Sequence, residues 1–66
     1  MKVRVNGEER QIEPGTTLAQ LVEQLGLKIE GVAVALNLQV VPRRSLAATS
    51  LSEGDRVEVV RAVGGG

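Results

Sequence analysis

With 66 residues, and eight basic side chains balanced by eight acidic ones, the chain is sized for one small domain and has no electrostatic footprint for nucleic acid. It contains no His, Cys, Phe, Tyr or Trp. The usual base near neutral pH, thiolate nucleophiles, soft metal ligands and platforms for stacking on unpaired bases are therefore all missing, which argues against self-contained catalysis, a metal site or nucleic-acid binding.

In chain order, Met1, Val3 and Val5 alternate with Lys2 and Arg4, which predicts a strand and does not resemble the core of a signal peptide. Asn6-Gly7 is the pair that type I′ hairpin turns prefer, and the return strand is expected over residues 10–13 with Ile12 as its apolar residue. Pro14-Gly15 suits the centre of a type II turn, and Thr17 with Gln20 has the spacing of a capping box. Leu18, Leu21, Val22 and Leu25 recur on one helical face, and Gly26-Leu27 suits a Schellman stop. A loop over residues 28–31 follows.

Residues 32–36 are apolar at every position, as expected of an interior strand, and Asn37 ends the run. Gln39, Val40 and Val41 predict a short strand that Pro42 assigns to a sheet edge. Residues 43–51 read as an irregular or 3₁₀ connection in which Ser45 and Thr49 bond nearby backbone. A turn at Glu53-Gly54-Asp55 leads to a last strand over residues 56–63, with Val57 and Val59 toward the core and Glu58, Val60 and Ala62 on the opposite face. Val60 and Ala62, with Leu38 or Val41, are the candidate partner-docking patch. Arg43-Arg44 is read as a solvated loop. The Ser and Thr hydroxyls have no base to activate them, so they are assigned to caps and turns.

A hairpin, one helix and further strands in this order predict an α+β domain of β-grasp (ubiquitin-like) type, a mixed four- to five-stranded sheet packed on one helix. The core is drawn from eleven Val, eight Leu and two Ile. The domain is expected over residues 1–63, followed by a flexible glycine tail over 64–66. Without a Cβ, Gly64, Gly65 and Gly66 suit threading through a slot too narrow for side chains. No apolar run approaches the ~18–20 residues of a bilayer span. The expectation is a cytoplasmic chain, monomeric by itself, with no membrane partner.

Several stretches together resemble one family: the Asn6-Gly7 turn, Gly15-Thr16-Thr17-Leu18, Val34-Ala35-Leu36-Asn37 before Val41-Pro42-Arg43, Gly54-Asp55, and the final Gly65-Gly66. Over its whole length the chain is similar to the bacterial sulfur carriers of thiamine biosynthesis, the ThiS family. The resemblance implies a protein cosubstrate, not an enzyme, made in its mature form with Gly66 last. It implies that an E1-like adenylyltransferase uses ATP to adenylate Gly66. Sulfur from a cysteine desulfurase type of donor system then replaces AMP as a C-terminal thiocarboxylate, and thiazole synthase accepts that sulfur. No cofactor is implied to be bound, since the ATP belongs to the partner enzyme. Two other readings remain open at this point: the sulfur-carrying small subunit of molybdopterin synthase, which is usually richer in aromatic residues ahead of its glycines, and a ubiquitin-like modifier or binding module.

Overall fold

A computed structural model describes residues 1–61 of the chain. Strands β1 (Lys2–Val5) and β2 (Glu8–Gln11) form the first hairpin. Asn6 and Gly7 lie at φ 52° and 84°, the two left-handed positions of a type I′ turn. A two-residue turn sets Glu8 opposite Val5, so the return strand begins at Glu8 and not at residue 10. The earlier start escaped the hydrophobic pattern because β2 is a sheet edge and all four of its residues are exposed. Ile12, the first buried residue after it, continues the pairing: the Met1 amino group donates to the Ile12 carbonyl at 2.7 Å, and Ile12 N–H donates to the Met1 carbonyl at 2.8 Å.

The turn at Pro14-Gly15 is closed by Thr16 N–H donating to the Glu13 carbonyl at 3.1 Å, with Gly15 at φ 88°. Helix α1 (Leu18–Gln24) opens on the expected capping box. Gln20 N–H donates to Thr17 Oγ1 at 3.2 Å, and Thr17 N–H donates to Gln20 Oε1 at 2.9 Å. The helix stops in a Schellman motif: Gly26 N–H donates to the Glu23 carbonyl at 2.9 Å and Leu27 N–H to the Val22 carbonyl at 3.2 Å, with Gly26 at φ 78°. A 3₁₀ turn, Ile29–Gly31, then leads into the second half of the sheet.

Strands β3 (Val32–Leu36) and β4 (Gln39–Val41) form a second hairpin, a 3₁₀ segment spans Arg43–Ala48, and β5 (Arg56–Arg61) completes the described chain. The strand order is β2-β1-β5-β3-β4. The β1–β5 pair is parallel and the other pairs are antiparallel. This is the expected mixed sheet, with five strands, and the last strand in sequence lies at its centre.

Helix α1 covers one face. Leu18, Leu21 and Val22 from the helix, Val3 and Val57 from the sheet and Leu46 from the 3₁₀ segment are the most deeply buried side chains. The segment is held to the helix start by Leu18 N–H donating to the Thr49 carbonyl and Leu51 N–H to the Thr16 carbonyl, both at 2.9 Å. The reading of residues 32–36 needs one correction. β3 is interior to the ladder, but only Val32 and Val34 are buried, while Ala33 is exposed. Among the described residues, a single short α-helix covers one side of a five-stranded sheet and leaves the other side open. No helix among the described residues is long and apolar enough to cross a membrane.

Candidate functional site

The open face of the sheet is set by strand parity. Val57 and Val59 of β5 point into the core, which turns Arg56, Glu58 and Val60 outward. Register then fixes their neighbours: Ala33 lies opposite Val60, Ala35 opposite both Glu58 and Val40. Two small alanines between two valines leave a shallow concavity of about 300 Å³, rimmed by Asn6 and Glu58. Val60 is 62% exposed and Val40 79%. One exposed valine is ordinary, but these residues form a contiguous apolar surface beside the strand that leads to the glycines.

The other half of the open face is charged. Arg4 and Arg56 are neighbours in the parallel pair, and Lys2 pairs with Glu9 at 3.2 Å. Arg4 Nη1 donates to the Gly7 carbonyl at 3.1 Å.

The expected patch is therefore altered. Val60 lies on the open face, but Val41 does not: opposite Val34, it packs against the core. Only parity separates Val41 from Val40, and the left-handed turn that fixes the parity is not apparent in the residues Asn37-Leu38. Leu38 is 73% exposed at that turn and does not line the concavity. Ala33, Ala35 and Val40 were missed; the available signal was their alternation with Val32, Val34 and Val41. Ala62, Gly64, Gly65 and Gly66 lie outside the described residues.

The remaining candidates have local tasks. Arg43 Nη2 donates to the Glu30 carbonyl at 3.0 Å and joins the two 3₁₀ elements. Thr16 Oγ1 donates to the Glu13 carbonyl at 2.6 Å and Thr49 Oγ1 to the Ser45 carbonyl at 2.7 Å. A larger hollow of about 550 Å³ lies beside the start of α1, between Glu13 and Glu23. Its buried hydroxyl, Thr16, and its cap amide, Gln20, are already bonded to backbone, and its other polar side chains, Glu13, Glu23 and Gln24, are exposed to solvent.

Two asparagines fasten β5. Asn37 Oδ1 accepts from Arg56 N–H at 2.9 Å while its Nδ2 donates to Asp55 Oδ1 at 3.1 Å. Asn6 Oδ1 accepts from Val59 N–H at 2.8 Å and its Nδ2 donates to the Val59 carbonyl at 3.1 Å. Both were read from the sequence only as turn or strand-ending residues.

Comparison with known proteins agrees with this architecture. The model of the ThiS family matches residues 3–66. The sulfur carrier protein ThiS of Thermus thermophilus is 41% identical over 64 residues, covering 97% of this chain and 98% of that one. A thiazole synthase of Paramagnetospirillum magneticum is 41% identical over 66 residues; the match takes in all of this chain but only 20% of the synthase. The chain thus spans about a fifth of the length of that relative. The crystal structure of the thiamine biosynthesis protein ThiS from Geobacter metallireducens superposes with a TM-score of 0.85 at 32% identity, each chain covered in full.

Proposed function

The chain belongs to the ThiS family, and from that premise we propose that it is a sulfur carrier for thiamine biosynthesis whose cargo is held at Gly66. The observation that carries this reading is the full-length similarity to a sulfur carrier, together with the central strand running in sequence toward Gly64-Gly65-Gly66.

The chemistry follows from the reacting group. An α-carboxylate is ionised at neutral pH and is a poor electrophile. A partner E1-like adenylyltransferase joins the Gly66 carboxylate to the α-phosphorus of ATP and releases pyrophosphate. Sulfur from a cysteine desulfurase type of system, brought from persulfide to sulfide level by a thiol reductant, then displaces AMP at the Gly66 carbonyl carbon to give a thiocarboxylate, and transfer of that sulfur to thiazole synthase returns Gly66 as a carboxylate with an oxygen from water. The match to a protein named thiazole synthase supports that acceptor. Gly64 and Gly65 give the tail a narrow profile, and Gly66 leaves the reacting carbon unhindered. Partner docking is assigned to Val60 and Ala62, and Ala33, Ala35 and Val40 extend the apolar surface around Val60.

The test is removal of Gly66. ATP–pyrophosphate exchange by the cognate adenylyltransferase is expected to be lost, while the circular dichroism spectrum of the carrier is unchanged. Exchange at the full rate without Gly66 would overturn the proposal.

A further inference from the structure

The parallel β1–β5 pair ends earlier than β5 itself. Arg4 N–H donates to the Asp55 carbonyl and Asn6 N–H to the Val57 carbonyl, each at 2.9 Å. Beyond that point β1 turns away through Asn6-Gly7, and it offers no backbone to Val59. The Asn6 side chain fills the gap. A primary amide has the same donor and acceptor as a peptide, and this one bonds both Val59 N–H, at 2.8 Å, and the Val59 carbonyl, at 3.1 Å. It acts as one additional peptide of β1.

On its other side β5 stays paired with β3 through Arg61 opposite Val32. Among the described residues, Val59 is the last of β5 held from both sides. Seven residues separate Val59 from the end of the sequence.

We propose that Asn6 is a positioning residue for the tail: by clamping Val59 it fixes the origin and direction from which the residues beyond Arg61 reach the activating enzyme. The inference rests on the sulfur-carrier reading and adds a residue remote in sequence from the glycines. The five residues beyond Arg61 reach at most about 18 Å, so a small tilt at their origin becomes a displacement of ångströms at their far end. Displacements of about 1 Å between reacting groups cost up to a hundredfold in rate. A fixed origin also reduces the freedom lost when the tail is threaded.

Asn6 has a second task, since φ 52° at this turn position favours Asn or Gly. Asn6→Gly separates the two, because it keeps the turn and deletes the amide. Asn6→Asp keeps an acceptor but removes the donor and sets a carboxylate against the Val59 carbonyl. The experiment compares both variants with the unaltered full chain in adenylation by the cognate adenylyltransferase, at a temperature where circular dichroism finds all three folded. Thr17→Ala serves as a destabilised control remote from β5. Hydrogen exchange at the Val59 amide reports the clamp directly.

In both variants kcat is expected to fall about tenfold or more; in Asn6→Gly, which deletes the amide at the rim of the concavity but leaves Ala33, Ala35, Val40 and Val60 in place, KM for the carrier is expected to change less than about threefold. The Val59 amide exchanges faster while the Val57 amide stays protected, and the control keeps its kcat. Unchanged kcat with a freely exchanging Val59 overturns the proposal and leaves Asn6 a turn residue. An equal kcat loss in Thr17→Ala overturns it as well, since stability would then be the cause. If the unaltered chain is itself not adenylated, the carrier reading fails first.

Discussion

Leu38 adopts φ 72° as the second central residue of the β3–β4 turn and is 73% exposed. A left-handed backbone costs a branched L-residue roughly 1–2 kcal/mol, and an exposed side chain recovers little of that by burial. Leu38→Gly restores the Asn-Gly pair that this turn type prefers, as at Asn6-Gly7. Offset by the greater entropy that glycine loses on folding, the expected gain is about 0.5–1 kcal/mol. It should be read as a higher urea midpoint at unchanged slope. A lower midpoint would mean that the Leu38 side chain makes a contact worth more than the strain. The same comparison explains what the residues disclosed. The Asn6-Gly7 turn was legible because its chemistry matches its geometry. The Asn37-Leu38 turn was not, because leucine carries no turn signal, and the parity of Val40 and Val41 was obscured with it.

A helix of seven residues is too short to persist alone. α1 depends on its two caps and on its apolar face. Leu21, fully buried at the middle of that face, should lose about 2–5 kcal/mol on truncation to Ala. Thr17→Ala removes one half of the capping box and should cost about 1 kcal/mol, whereas exposed Gln24→Ala should cost little. Thermal or urea denaturation of the three variants checks the ranking, and equal shifts for Leu21 and Gln24 would refute the assigned face. Three independent signals agreed on this helix, which is why its bounds could be read in advance. β2 had no such agreement, being an exposed edge of polar, mostly charged residues; the 3₁₀ character of Arg43–Ala48 was expected, but the burial of Leu46 from it was not, because a 3₁₀ turn has no extended hydrophobic period.

At the scale of the whole molecule, one face of the sheet builds the core and the other is open among the described residues, so substitutions on the first are expected to change stability and those on the second, in the proposed reading, to change recognition. Val60→Glu places a charge on the open face, where water solvates it in the free chain, and should leave the fold intact. In a complex that charge is desolvated without a partner. Binding to the cognate adenylyltransferase should weaken by about tenfold or more, equivalent to about 1.4 kcal/mol, in titration calorimetry. Unaltered affinity would remove Val60 from the docking surface.

The central place of β5 has a consequence for the birth of the molecule. The β1–β2 hairpin and the β3–β4 hairpin share no strand pairing, and each is joined to the other half only through Arg56–Arg61. A chain emerging from the ribosome at about 5–20 residues per second therefore holds two half-sheets whose inner edges, β1 and β3, are unpaired until its final strand is free. Completion of the sheet has to wait until residues 56–61 have left the ribosome, and a nascent chain stalled before residue 56 exposes two open edges to its neighbours.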